Sequence, residues 1–229
     1  MPQRIRAVLL DALGTLLHFD PPAPLLREAL RERLGAEVSE TAASAAIKAE
    51  IAYYRAHLNE GRDPGSLAEL RSRSAEAMRP ALGIDAATDD LTGALLAALR
   101  FRAYPDAAPA LRMLRSRGVS IVVVSNWDHS LHERLAETGL KPLVHGAVAS
   151  AEVGHAKPER AIFEHALRLA GVDAASAVHA GDAPEEDVAG ALAAGLRAVL
   201  VARDGAVEAP PGVPVIRTLA ELAPLCGYA

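Results

Sequence analysis

Apolar positions recur along the chain with two different periods. Ile5 to Leu10 is an unbroken, leucine-rich and partly β-branched apolar run, which at this length predicts a buried strand. From Pro21 to about Arg102 the spacing changes to three and four residues, the period of amphipathic helices. Leu25, Leu26, Ala29, Leu30 and Leu34 predict one helix, and Ser39 ahead of an alanine-rich segment with Ile47, Ile51 and Tyr54 predicts a second. Asp63-Pro64 opens a third, carrying Leu67, Leu70, Ala77 and Met78 and closed by Gly83. Thr88 with Asp89 and Asp90 starts a fourth through Leu91, Leu95, Leu96 and Leu99, and no strand is predicted in this stretch.

After Tyr104-Pro105 helices and strands alternate. Helices are expected over 107–117, 129–138 and 158–170, and strands over 119–125, 144–149, 177–180 and 198–202, with Ala209-Pro210-Pro211-Gly212 as a loop. Short apolar strands separated by helices of this length predict a parallel sheet covered on both faces. The fold class is therefore α/β: a Rossmann-like, doubly wound parallel sheet from 1–17 and 103–229, with an all-α insertion over 18–102.

A chain of 229 residues suits one large domain or one domain with a sizeable insertion. Its 24 basic and 29 acidic residues leave a net charge of −5, the reverse of the basic footprint of a nucleic-acid binder, so no nucleic-acid partner is expected. Arg4 and Arg6 ahead of Ala7 to Leu17 imitate the start of a secretion signal. Asp11 interrupts that run, no small-residue cleavage site follows, and no run approaches 18 apolar residues. With Cys226 as the single cysteine, these features predict a cytoplasmic protein without membrane contact.

Candidate chemistry begins with Asp11, a carboxylate at the end of an apolar strand, where an ionised group is costly unless it is paired or bound to metal. A second strand ends at Ser125-Asn126, Lys157-Pro158 opens a helix, and a third strand runs into Gly181-Asp182, with Asp187 five residues on. Open parallel sheets bind ligands beyond the carboxyl ends of their strands. Carboxylates gathered there suit Mg²⁺, while Lys157, Thr15, Ser125 and helix-start amides suit a phosphate. Asp128 and His129 read as the start of the next helix, His18 as an exposed loop residue, His155 and His179 as structural, and Trp127 as packing at the mouth of the site. Tyr53, Tyr54 and Arg55 fit either a substrate-facing or a core-facing stripe.

In this order the segments Asp11-Ala12-Leu13-Gly14-Thr15-Leu16, Val122-Val123-Val124-Ser125-Asn126, Gly154-His155-Ala156-Lys157-Pro158 and Gly181-Asp182-Ala183-Pro184-Glu185-Glu186-Asp187 resemble the four motifs of the haloacid dehalogenase superfamily. The helical insertion is similar to the C1 cap of one of its subgroups. The resemblance implies that Asp11 is the nucleophile of a Mg²⁺-dependent phosphate-ester hydrolase, and that Thr15, Ser125, Asn126 and Lys157 hold the phosphate, Lys157 also offsetting charge in catalysis. It implies metal ligation by Asp11, the Leu13 carbonyl, Asp182 and, in support, Asp187. The family's phosphatases usually carry a second Asp, a general acid/base, where this chain has Leu13, so turnover is expected to be slow. The other readings are a non-catalytic or regulatory protein that binds a phosphate ligand, and a 2-haloacid dehalogenase. The second of these lacks the Tyr, Ser, Asn and Tyr that such enzymes carry at or near Leu13, Asp182, Pro184 and Phe163. The partner expected is a small phosphate ester, and an alanine- and leucine-rich cap could support a homodimer.

Overall fold

The computed structural model describes residues 4–205 and 209–227. The chain begins with β1 (Ala7–Leu10) and, after a turn, β2 (Leu17–Phe19). Four helices follow, α1 (Pro22–Leu34), α2 (Glu40–His57), α3 (Pro64–Leu82) and α4 (Thr88–Ala98), and then β3 (Phe101–Ala103). Next come α5 (Ala107–Ser116), β4 (Ser120–Ser125), α6 (Leu131–Glu137), β5 (Gly146–Ala149), α7 (Ser150–Val153) and α8 (Arg160–Ala170). The chain finishes with β6 (Ala177–Gly181), a wide helical turn at Pro184–Ala189, α9 (Gly190–Ala193), β7 (Arg197–Val201), β8 (Val215–Ile216) and α10 (Leu222–Leu225). Two compact units result: the chain through His18 together with Ala103 onward, and Phe19–Arg102.

In the first unit six strands lie in the order β5-β4-β1-β6-β7-β8, and every neighbouring pair is parallel. From β1 the chain steps outward to β4 and β5, then crosses to β6 on the other side of β1 and continues outward. The order reverses between β1 and β6, which makes their carboxyl ends the place for a ligand in a doubly wound sheet. All four residues of β1 and five of the six in β4 are buried. That continuous apolarity is what a central parallel strand covered on both faces needs. Along one face Leu9, Val122 and Val124 pack with Ile162, Phe163 and Ala166 of α8.

The second unit is a four-helix cluster. Ser39 accepts a hydrogen bond from the Ala42 amide at 3.1 Å, so α2 starts where its cap residue dictates. Asp63 caps α3 by accepting from the Gly65 and Ser66 amides at 2.9 and 3.0 Å, while the Ser66 hydroxyl accepts from the Asp63 amide. Leu26, Leu30, Ala46, Met78 and Leu95 meet in its core. Glu50 continues the buried stripe of Ala43, Ala46 and Ile47 on α2, and burial pushes its carboxyl up to about 7.

Three strands escape the sequence pattern. Phe101–Ala103, expected to be helical or irregular, pairs with Leu17–Phe19 in a separate two-stranded sheet, and β8 joins the edge of the large one. With two or three residues each, they are too short to show an alternating period. His18, expected in an exposed loop, lies half-buried on β2 with its ring 4.8 Å from that of Tyr104. Helix α8 begins at Arg160 instead of Pro158, and Cys226 is buried. Among the described residues no helix is long and apolar enough to cross a membrane.

Candidate active site

Strand ends deliver the acids. Asp11 is the first residue beyond β1, and its amide donates to the Ala180 carbonyl at 3.0 Å, so the β1–β6 ladder carries it to the switch point. Asp182 is the first residue beyond β6, and Ser125 is the last of β4. The Ser125 hydroxyl donates to Asp11 Oδ1 at 3.0 Å and the Lys157 ammonium donates to the same oxygen at 2.6 Å. Asp11 Oδ2 is left for other chemistry.

Lys157 is 4% exposed, and its Nζ also donates to Asp187 Oδ1 at 2.5 Å. Asp187 further accepts from His179 Nε2 at 2.8 Å and, through Oδ2, from the Ala183 amide at 2.9 Å. Burial disfavours the lysine's charge, but Asp11 and Asp187 more than restore it and hold its pKa above the ordinary value. Against the same desolvation, Lys157 and His179 keep Asp187 well below the usual carboxylate range. Asp11 fares differently: burial pushes it up to about 6, with Lys157 pulling down and Asp187 pushing further up. Burial and Asp187 also raise Asp182.

One oxygen from each of Asp11, Asp182 and Asp187 lies within 4.8 Å of the other two. Three carboxylates and one ammonium leave this pocket with an excess of negative charge, and a hard divalent cation with oxygen ligands is what such a donor set fits. The Leu13 carbonyl accepts no backbone hydrogen bond, and the Ala12 and Leu13 amides donate none, among the described residues. Two glycines make the crowding of acids feasible. Gly14 has φ +87°, and a Cβ there would overlap the Asp182 carboxylate; a Cβ on Gly181 would overlap that of Asp187.

The structure therefore brings Asp11, Ser125, Lys157, Asp182 and Asp187 together. The Asn126 side chain, expected among the phosphate-binding groups, is paired with Lys157 and Glu186. Its Oδ1 accepts from the Lys157 amide at 2.7 Å, while its Nδ2 donates to the Lys157 carbonyl at 2.9 Å and to Glu186 Oε2 at 3.1 Å. Both ends of the amide are thus spent on holding the lysine's backbone. Thr15 is fully buried, and its Oγ1 meets no hydrogen-bond partner. Asp128 Oδ1 accepts from the Ser130 amide at 2.7 Å in the turn before α6. His129 and His132 share Glu152 at 2.8 and 3.0 Å, His155 pairs with Glu159, and Trp127 donates to Ser130 Oγ at 3.2 Å. In the second unit Tyr53 stacks on His57 at 4.1 Å.

Sequence reasoning read His179 as structural without naming its partner, and did not single out Arg203. His179 is a polar residue inside the otherwise apolar β6, directly upstream of Gly181-Asp182, a signal that could have marked it as Asp187's partner. Arg203 has no such signal: it follows β7 and reaches the carbonyls of Gly14 and Thr15, almost the length of the chain away.

Residues 5–195 match the family model for haloacid dehalogenase-like hydrolases. Haloacid dehalogenase-like hydrolase domain-containing protein 3 of Bos taurus is 40% identical over 96 residues, covering 42% of this chain and 38% of that protein. Phosphoserine phosphatase of Thermus thermophilus is 37% identical over 119 residues, covering 52% of this chain and 48% of its own. The chain thus spans less than half the length of these two relatives. A solved structure of a 2-haloacid dehalogenase from Pseudomonas syringae superposes with a TM-score of 0.67 at 27% identity, over 97% of this chain and 98% of the other.

Proposed function

The chain belongs to the haloacid dehalogenase-like hydrolases, and we propose that it hydrolyses small phosphate monoesters through a phosphoryl group carried transiently on Asp11. The observation that carries this reading is the buried Asp11–Lys157–Asp187 array beside Asp182. Ser125 and Lys157 hold Oδ1 of Asp11, so Oδ2 is the attacking atom. Its attack on phosphorus forms the aspartyl phosphate and expels the alcohol oxygen with the bonding electron pair. Water then attacks that phosphorus, returning the Asp11 carboxylate and releasing phosphate. Lys157 stays protonated throughout and offsets charge gathering on the transferred group, and Asn126 keeps it in place from behind.

Asp11, Asp182 and the Leu13 carbonyl would hold Mg²⁺, with Asp187 in support, and the ion would supply electrophilic stabilisation of the phosphoryl oxygens when bound. The dehalogenase likeness carries less weight than this acid cluster, because a cation against Asp11 would blunt its carboxylate toward a carbon–halogen bond. Leu13 offers no proton to the leaving oxygen, which costs about 10² to 10⁴ in rate for an ester that needs one. The phosphoserine phosphatase of Thermus thermophilus supports a phosphate ester as substrate class.

The test is phosphate release from a broad panel of monoesters by the wild type and Asp11→Asn, with and without Mg²⁺. Release that requires both the metal and Asp11 supports the proposal. Silence across the panel with metal binding intact would favour a protein that binds a phosphate ligand without turnover.

A further inference from the structure

The geometry points to Arg203 as the positioning residue of the nucleophile loop. It sits just beyond the carboxyl end of β7, its side chain largely enclosed. Its guanidinium donates to the Thr15 carbonyl at 2.6 Å and, more loosely, to the Gly14 carbonyl at 3.3 Å. It also donates to Asp106 Oδ2 at 3.1 Å and lies 3.6 Å over the centre of the Tyr104 ring. Asp106 Oδ2 accepts from the Leu219 amide as well, at 2.8 Å, which ties the carboxylate down independently of the arginine. Three segments far apart in sequence therefore meet at one planar cation.

The consequence for the site lies in the peptide planes. A trans peptide points its C=O and its N–H to opposite sides. Holding the Gly14 and Thr15 carbonyls on the arginine side therefore turns the Thr15 and Leu16 amides the other way. The Leu16 amide closes the loop on the Ala12 carbonyl at 2.8 Å, and the Leu17 amide does the same. The left-handed Gly14 is stable in isolation no more than any tight turn, so an external clamp on its carbonyl keeps Asp11 and the Leu13 carbonyl in register with Asp182. Thr15 leads into β2, while Tyr104 and Asp106 lie just after β3, so the same guanidinium pins the roots of both β2 and β3. Lysine could not replace it, because one ammonium cannot reach two carbonyls and a carboxylate while stacking on a ring.

The effect on the loop stands on this geometry alone, whereas its effect on turnover rests on the phosphate-ester reading. Arg203→Ala and the milder Arg203→Lys would be compared with wild type by amide hydrogen exchange over residues 12–17, by kcat and KM for a responsive monoester, and by rescue with guanidinium ion at about 50 mM, far below denaturing levels. We expect exchange in 12–17 to rise by about tenfold or more in Arg203→Ala while the β4 amides keep their protection. We expect kcat to fall about tenfold or more with KM changed by less than about threefold, and guanidinium to restore part of kcat. Arg203→Lys should fall between the two. Unchanged exchange in 12–17 would overturn the inference, and so would faster exchange with full kcat, which would make Arg203 a strut only. If the wild type hydrolyses no ester, the phosphate reading fails by itself, and the exchange comparison still decides what Arg203 does to the loop.

Discussion

Replacing Lys157 by Met tests the electrostatics of the site most directly. The substitution keeps the length and apolar stem of the side chain but removes an ammonium that bridges Asp11 at 2.6 Å and Asp187 at 2.5 Å, with all three groups buried. Removing one partner of a buried ion pair costs about 3–5 kcal/mol, because the charge left behind has lost both solvent and counterion. Here two carboxylates are left behind, although His179 still donates to one of them. The sign with pH follows from the two shifts. Asp187 lies below its unfolded pKa because of Lys157 and, next, His179, so its contribution to stability is present above about pH 4 and is reduced in the variant. Asp11 already lies above its unfolded pKa, at about 6, and losing the lysine raises it further, so its ionised form penalises the fold more as pH rises. The Asp187 part of the deficit is the same at pH 5 and pH 7.5, whereas the Asp11 part grows between them, so the variant's deficit is larger at pH 7.5 than at pH 5. Urea unfolding followed by the fluorescence of Trp127, the single tryptophan, reads the unit that holds the site. Adding Asp11→Asn to Lys157→Met should recover part of the loss, since it deletes one orphaned charge. A deficit below about 1 kcal/mol at pH 7.5, or one that does not vary with pH, would refute the picture of a buried cation neutralising two acids.

Other perturbations read different parts of the molecule. Gly14→Ala should weaken Mg²⁺ binding by about tenfold or more in calorimetric titration, since the new methyl occupies the place of the Asp182 carboxylate on a left-handed residue; equal affinity would show that the acids close in some other way. Glu50→Gln should stabilise the second unit by about 1–3 kcal/mol at pH 8.5 and by little near pH 4, because burial raises the carboxyl from 4.5 to about 7 and its ionised form is penalised as pH rises through that window; thermal unfolding at the two pH values checks it, and an identical shift at both would count against it. Leu13→Asp should speed release from alkyl phosphates by about 10² to 10⁴ while changing aryl phosphates with acidic leaving groups much less; equal effects on both would mean that proton donation is not what Leu13 costs.

The parts of this site that the sequence made legible share one property: each stands at the end of a strand or just ahead of a helix whose period is visible. Asp11, Ser125 and Asp182 are polar residues where buried apolar runs stop, and a parallel sheet leaves such residues nowhere to go but its carboxyl edge. Lys157 and Asp187 could be found because they fall at fixed distances from such points in a familiar order of motifs. The helices of the second unit were equally visible, since Ser39, Asp63 and Gly83 punctuate them with local chemistry that needs no tertiary partner. What stayed hidden depends on contacts that local pattern does not encode. The Asn126 side-chain amide pairs with both backbone groups of Lys157, a match visible only once β4 and the segment before α8 lie side by side. Arg203 grips carbonyls, and a carbonyl is the same for every residue, so nothing about Gly14 or Thr15 announces an arginine beyond β7. The charged groups buried at this edge are therefore the readable ones, because burying them is costly and needs a conspicuous arrangement. The groups that hold them in place act through the common backbone and become apparent only in three dimensions.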